Sequence, residues 1–206
     1  MKNSNDTRQK LIDITYDEIY EKGYQGASLS EILSKAKVHK GSMYYFFANK
    51  KEMAMSALSE KLSERFTKRY ATILQYESNI LDELFKVLND ISLRDFKKGC
   101  PLANIVQEMS NLDVDFDAMS KVFYGDFKGI IKDILDKAIL QKELKSCDTQ
   151  KLALYITVVV EGAILAAKAT GNENDYLDSI ECLEKDIRSN YASLWNDKWP
   201  LKCWYK

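Results

Sequence analysis

The densest chemistry in the chain lies between residues 28 and 51. His39, Lys40, Ser42, Tyr44 and Tyr45 crowd hydrogen-bonding side chains into one short segment, with Gly41 among them. Lys40 suits phosphate or the acceptors of guanine, Ser42 a base edge or a phosphate, and the hydroxyls of Tyr44 and Tyr45 phosphate. Gly41 allows a backbone to come close to a ligand. Ser28 and Lys50 stand where helices are expected to begin; the free N–H groups and positive dipole end there favour phosphate, and Lys50 adds a full charge. The same stretch carries Lys35, Lys37, Lys40, Lys50 and Lys51 against the single acid Glu31, although the net charge of the whole chain is only −1. This pattern points to contact with nucleic acid. The competing reading is a solvated basic face over a small core of Tyr44, Phe46 and Phe47. We read Phe47 as core and Lys40 and Tyr45 as contacts.

Short helices must hold these groups. A first helix is expected over residues 7–22, with Leu11, Ile12, Thr15 and Ile19 on one face, Asp6 or Thr7 as its cap and Gly23 ending it. Ser28 and Glu31 form a Ser-x-x-Glu capping box for a second helix ending near Lys35 or Ala36. A turn at residues 36–39 then leads to a third helix, and Asn49 caps a fourth that runs from residue 50 past Arg65 towards Leu74. A capped short helix, a turn of about four residues and a second helix with a polar or aromatic outer face make a helix-turn-helix.

The remainder reads as helix too. With 2 Pro and 8 Gly in 206 residues, and 46% hydrophobic residues, the composition favours a globular all-α protein. Helical spacing predicts segments over residues 80–96, 102–110, from the acidic break at 113–115 to Leu140, 149–170 and 176–195, with Pro101 at a first helical position. The N-terminus lacks the apolar run of a signal peptide and no stretch approaches the roughly 18 uncharged residues of a membrane span, so a cytoplasmic protein with no membrane partner is expected. Cys100, Cys147, Cys182 and Cys203 form no close pair, so neither a disulfide framework nor a metal site is indicated, and no cofactor is expected. One histidine and the lack of a phosphate loop or ligand cluster argue against an enzyme. A purely structural helical bundle would explain the long helices and leave the clustered lysines unexplained.

Thr7-Arg8, Lys22-Gly-Tyr24, Ala27-Ser-Leu-Ser-Glu-Ile32, Val38, Lys40-Gly-Ser-Met-Tyr44, Phe47 and Asn49-Lys50 together resemble the N-terminal pattern of TetR family repressors. The chain departs from that pattern at Lys37, where the turn usually has glycine, at His39 in place of a frequent serine, and at Thr15 and Glu18, where the first helix is usually apolar. The resemblance implies a homodimer that binds double-stranded, roughly palindromic operator DNA as a repressor, with its third helix in the major groove. It also implies release by a small-molecule effector. On this reading residues 1–52 are the helix-turn-helix DNA-binding domain and residues 53–206 a helical bundle that binds effector and dimerises. Ser28, His39, Lys40, Gly41, Ser42, Tyr44, Tyr45 and Lys50 are the expected DNA contacts.

Gly99-Cys-Pro-Leu-Ala-Asn-Ile-Val-Gln-Glu-Met-Ser110 resembles a segment that starts the sixth helix in one TetR subgroup. Cys100, before that helix, is either a buried inert cysteine or a thiol whose pKa the helix terminus lowers, open to electrophiles. A noncovalent effector would instead sit among Met109, Phe123, Tyr124, Phe127, Tyr155 and Glu161, each of which also has an ordinary packing role. Glu161 interrupts an apolar helix, where it binds a ligand cation, pairs with a lysine or reaches solvent. Small residues at Gly162, Ala163, Ala166 and Ala167 suit close helix packing, and with the last helix point to a four-helix dimer interface. The aromatic tail at residues 199–206 is expected to pack on its own domain or on the partner.

Overall fold

The computed structural model describes residues 2–193, with side chains from residue 5 onward. The aromatic tail, Cys203 and the expected end of the last helix lie outside the described residues. Among the described residues the chain is helical throughout, joined by turns and one isolated bridge between Leu144 and Ala192. The helices are α1 (Lys2–Gly26), α2 (Leu29–Ala36), α3 (Lys40–Phe46), α4 (Lys50–Tyr70), α5 (Ile80–Asn89), α6 (Pro101–Met109), α7 (Val114–Leu140), α8 (Thr149–Thr170) and α9 (Asn174–Tyr191). Short 3-10 turns follow α4 at Ala71–Gln75 and α5 at Ile91–Leu93.

Several expected punctuation marks are met. Gly23 breaks α1 with φ 77°, a backbone that glycine adopts without the Cβ penalty. Pro101 opens α6, where its missing N–H costs nothing. Others are corrected. The helix expected over 80–96 stops at Asn89, because Asp90 turns extended and its carboxylate takes the Ser92 N–H to start a new turn. The capping box at Ser28 does not form. Ser28 is the N-cap by its backbone, but its hydroxyl meets that of Ser30 at 2.7 Å, and Glu31 turns to Lys22 and Lys35. A related pair occurs at α4, where Asn49 Oδ1 accepts the Glu52 N–H at 2.9 Å and the Glu52 carboxylate accepts the Ala48 N–H at 2.6 Å.

Packing divides the chain into two compact units, one of Met1–Thr67 with Lys97–Asp126 and the other of Lys68–Phe96 with the chain from Phe127 onward. The division falls inside α4 and inside α7, so packing does not break the chain at residue 52. The core of the first unit gathers Leu11, Ile12 and Ile19 of α1, Ile32 and Ala36 of α2, Met43 of α3, Leu58 and Leu62 of α4, and Leu102, Ile105 and Met109 of α6. The second buries Leu84 and Phe85 of α5, Ile131 and Ile134 of α7, Ile156 and Val160 of α8, and Ile180 and Ile187 of α9. α8 is long and apolar enough, by length and composition, to cross a membrane, and nearly half of its apolar window is buried in this unit. Its own length of uncharged chain is broken by Glu161, which is why it escaped the sequence criterion.

Candidate nucleic-acid interface

The turn before α3 is set by hydrogen bonding. Lys37 closes α2 in the left-handed region, φ 55° and ψ 40°; its N–H donates to the Ser34 carbonyl at 3.1 Å and the Val38 N–H to the Leu33 carbonyl at 3.0 Å. This is a Schellman end, which satisfies carbonyls that α2 would otherwise leave open. A lysine can hold it, at a cost of about 1 kcal/mol relative to glycine. The turn aims α3 so that its inward side chains, Met43 and then Phe47, join the core of the first unit, both under 4% exposed.

Every other side chain that the sequence nominated on this segment faces out. His39, Lys40, Gly41, Ser42, Tyr44 and Tyr45 are exposed, Tyr45 by 78%. Nothing lies within 4 Å of the position a Cβ would take on Gly41, so no packing demands a glycine there. The Lys40 ammonium stands 5.8 Å from the Tyr44 ring centre, one helical turn away. Ser28, at the start of α2, is exposed as well.

The lysines are less alike than their sequence suggested. Lys35 pairs with the buried carboxylate of Glu18, which also takes Lys22 at 3.1 Å. Glu18 is therefore neutralised from two helices, and its carboxyl is held below its ordinary value by the Lys35 hydrogen bond first, against the opposing effect of burial. Thr15, its buried neighbour on α1, has no hydrogen-bond partner for its hydroxyl among the described residues. Lys51 pairs with Asp113 at 2.8 Å and Asp115 at 2.6 Å. Lys50 points inward: its ammonium donates to the Tyr24 carbonyl at 2.6 Å, sits 4.3 Å from the Tyr24 ring centre, and is pushed below the usual lysine range by burial. Among the described residues of this stretch, Lys37 and Lys40 alone enter no ion pair and make no contact with a backbone carbonyl. The sequence marked Lys37 as a charge and as a residue in the turn, not as a contact; its exposed place in the turn adds it to the candidate contacts.

α6 holds this unit from the other side. The Glu108 carboxylate accepts the N–H groups of Tyr24 and Gln25, both at 2.9 Å, and the Tyr20 hydroxyl donates to the Gly99 carbonyl at 2.6 Å. Neither Glu108 nor Tyr20 had a signal in the sequence beyond an ordinary helical acid and an ordinary aromatic.

The expected effector residues are divided between the two units. Cys100, half-buried as the N-cap of α6, packs with Met109, Phe123 and Tyr124 on the core of the first unit. Phe127, Tyr155 and Glu161 belong to the second unit. There Phe127 packs tilted against Tyr70, ring centres 5.5 Å apart, and Glu161 is near enough for its charge to oppose ionisation of Tyr70 and Tyr176. Tyr155 is directed elsewhere: it is 41% exposed and its hydroxyl feels Asp186, Tyr191 and Cys182 of α9 and its end. Six residues of helix carry it well away from the face of Glu161. Arg69, Tyr70, Arg94 and Tyr176 were missed, since they come together only through folding.

Two family models match, one described as bacterial regulatory proteins of the tetR family over residues 11–57, the other as a tetracyclin repressor-like C-terminal domain over residues 80–181. An HTH-type transcriptional regulator of Lactococcus lactis is 28% identical over 186 residues, covering 88% of this chain and 93% of the relative. The transcriptional regulator AcuR of Cereibacter sphaeroides is 30% identical over 172 residues, covering 78% and 75%. A crystal structure of a TetR family transcriptional regulator from Cytophaga hutchinsonii superimposes with a TM-score of 0.82 at 26% identity, over 94% of this chain and 98% of that one.

Proposed function

Because the chain belongs to the TetR family of DNA-binding transcriptional repressors, we propose that it binds a two-fold symmetric operator in duplex DNA as a homodimer, and that a small-molecule effector releases it. The observation that carries this reading is α3: within seven residues its apolar side chains turn in and its donors turn out. Lys40 and Ser42 would read base edges, while Lys37, Ser28, Tyr44 and Tyr45 would hold phosphates. Lys50 would act indirectly, by fixing the start of α4 to the end of α1. In this reading residues 1–52 supply the DNA contacts and the later residues the sensing and pairing surfaces. The protein works in the cytoplasm, catalyses no reaction and needs no membrane.

An apolar face on α8 supports the homodimer. Leu154, Tyr155, Val158 and Leu165 are 41 to 55% exposed, and Gly162 has open space where a Cβ would stand. A second copy packing there would remove this face from water. The effector would enter the second unit near Phe127 and Glu161. A thiol-reactive effector at Cys100 is the alternative, supported by the place of that cysteine before the first turn of α6. Cys100→Ser separates the two, because it abolishes release by thiol-reactive compounds and leaves release by others intact.

The test is selection from a random duplex library with the full chain. It should enrich an inverted repeat whose half-sites lie about one helical turn apart. Light scattering should give a dimer that Val158→Asp combined with Leu165→Asp converts to a monomer without operator affinity. Failure to enrich any duplex sequence, or a monomer that binds the repeat as tightly as the parent, would overturn the reading.

A further inference from the structure

The second unit holds a guanidinium whose free edge is turned away from solvent. Arg94 follows the 3-10 turn after α5. Its Nη1 donates to the carbonyls of Asp90 at 2.7 Å and Val87 at 3.3 Å, and its Cζ lies 4.7 Å from the Tyr176 ring centre. Those contacts fix the plane of the group. Nε and Nη2, which form its side-on edge, are buried and have no hydrogen-bond partner among the described residues. Two parallel donors on a fixed planar cation match the two oxygens of a carboxylate. Buried donors of this kind call for an acceptor, since leaving them unmet is costly.

The surroundings narrow the acceptor. Tyr70 and Tyr176 are buried, Phe127 lies 5.5 Å from the Tyr70 ring and Phe96 5.1 Å from the Tyr176 ring. Arg69, which donates to the Leu93 carbonyl, adds a second positive charge that acts on both tyrosines. Two acids face this group: Asp90, whose carboxylate is occupied by Ser92, and Glu161. Asp90 is exposed, so in the interior two cations stand against Glu161; one further negative charge balances them, and a dianion would leave an excess. A monoanion with an apolar body fits both the fork and the aromatic surroundings.

We propose that Arg94 anchors the effector, and that the effector is a monocarboxylic acid whose carboxylate takes the Nε and Nη2 donors while its apolar part packs among Tyr70, Phe96, Phe127 and Tyr176. This rests on the reading of the second unit as the effector-binding part. The strap at residues 90–96 carries the anchor, so the bound acid ties this exposed segment to α4, α7 and α9.

The experiment is calorimetry and thermal melting on the full-length protein, with straight-chain acids from acetate to hexanoate, with benzoate, and with the matching primary amides. At least one acid should bind saturably and raise the melting temperature, and its amide should bind at least tenfold more weakly. Arg94→Lys, which keeps the charge and loses the fork, should weaken the acid at least tenfold; unliganded melting of the variant shows that it is folded. The acid–amide comparison in the unaltered protein stands even where the variant does not fold. If every acid fails to bind, or acid and amide bind alike, the proposal is overturned and water alone meets the guanidinium edge. Release of operator by a neutral compound would overturn the proposal while leaving effector control intact. The effector reading itself fails only when no ligand of any charge releases the DNA.

Discussion

Glu108 occupies the space that a side chain on Gly23 would need: a Cβ there would stand 2.7 Å from Glu108 Oε2. The positive φ of Gly23 turns the next two N–H groups towards that carboxylate, and Lys50 holds the carbonyl of the same Tyr24 residue. One peptide thus ties α6, the end of α1 and the start of α4. Gly23→Ala should cost about 2 kcal/mol from backbone strain, with further loss from displacing Glu108. Glu108→Ala, which leaves two partly exposed donors to water, should cost about 1 kcal/mol. Chemical denaturation measures both. Equal stability of Gly23→Ala and the parent would show that the clasp does not constrain α1.

Lys40 and Lys50 should separate in a salt titration. Loss of the Lys40 cation from the groove by Lys40→Ala lowers the slope of log affinity against log salt by up to about 0.9, relaxes base preference and leaves the melting temperature unchanged. Lys50→Ala removes an internal hydrogen bond, so it should lower the melting temperature and leave the slope as it was. A lowered slope at unchanged stability for Lys50→Ala would place its ammonium on DNA instead.

Lys37→Gly should move stability and binding in opposite directions. Glycine relieves a left-handed backbone, a gain of up to about 1 kcal/mol, while the substitution removes one of the two unpaired cations beside α3. The expected variant melts higher and binds operator more weakly. Tighter or equal binding would remove Lys37 from the interface.

Glu18 gives the fold a dependence on acid. Its folded pKa lies below the ordinary 4.5, so its contribution is complete above that value and is lost as the pH falls through the lower folded one. Lys35, its partner, is raised above the ordinary 10.5, so that side of the pair persists until strongly alkaline pH. Between pH 7 and 3 the parent should lose melting temperature more steeply than Glu18→Gln. Parallel curves would show that this carboxylate is not linked to folding.

The helical class, the turn at residues 36–39 and the outward row on α3 were legible because they follow from local rules. Spacing of Met43 and Phe47 sets the inward face, Asn49 caps α4, and Gly23 and Pro101 mark ends. Local rules failed where a distant group competed. Glu31 sits where a capping box needs it, yet Lys22 and Lys35 win it by charge. Lys50 heads a helix as a phosphate ligand would, yet the Tyr24 carbonyl lies within reach.

What the sequence determined by itself was therefore the helical scaffold and the composition of its recognition segment, since periodicity, caps and turn residues act over a few positions. Tertiary structure decided which lysines stay out of ion pairs, which acid clasps Gly23, and that Arg94 lies over the Tyr176 ring with its charge acting on Tyr70. Hydrogen bonds and charges are satisfied by whichever partner folding brings closest, and those partners lie far apart in the chain, 84 residues from Tyr24 to Glu108 and 106 from Asp82 to Arg188.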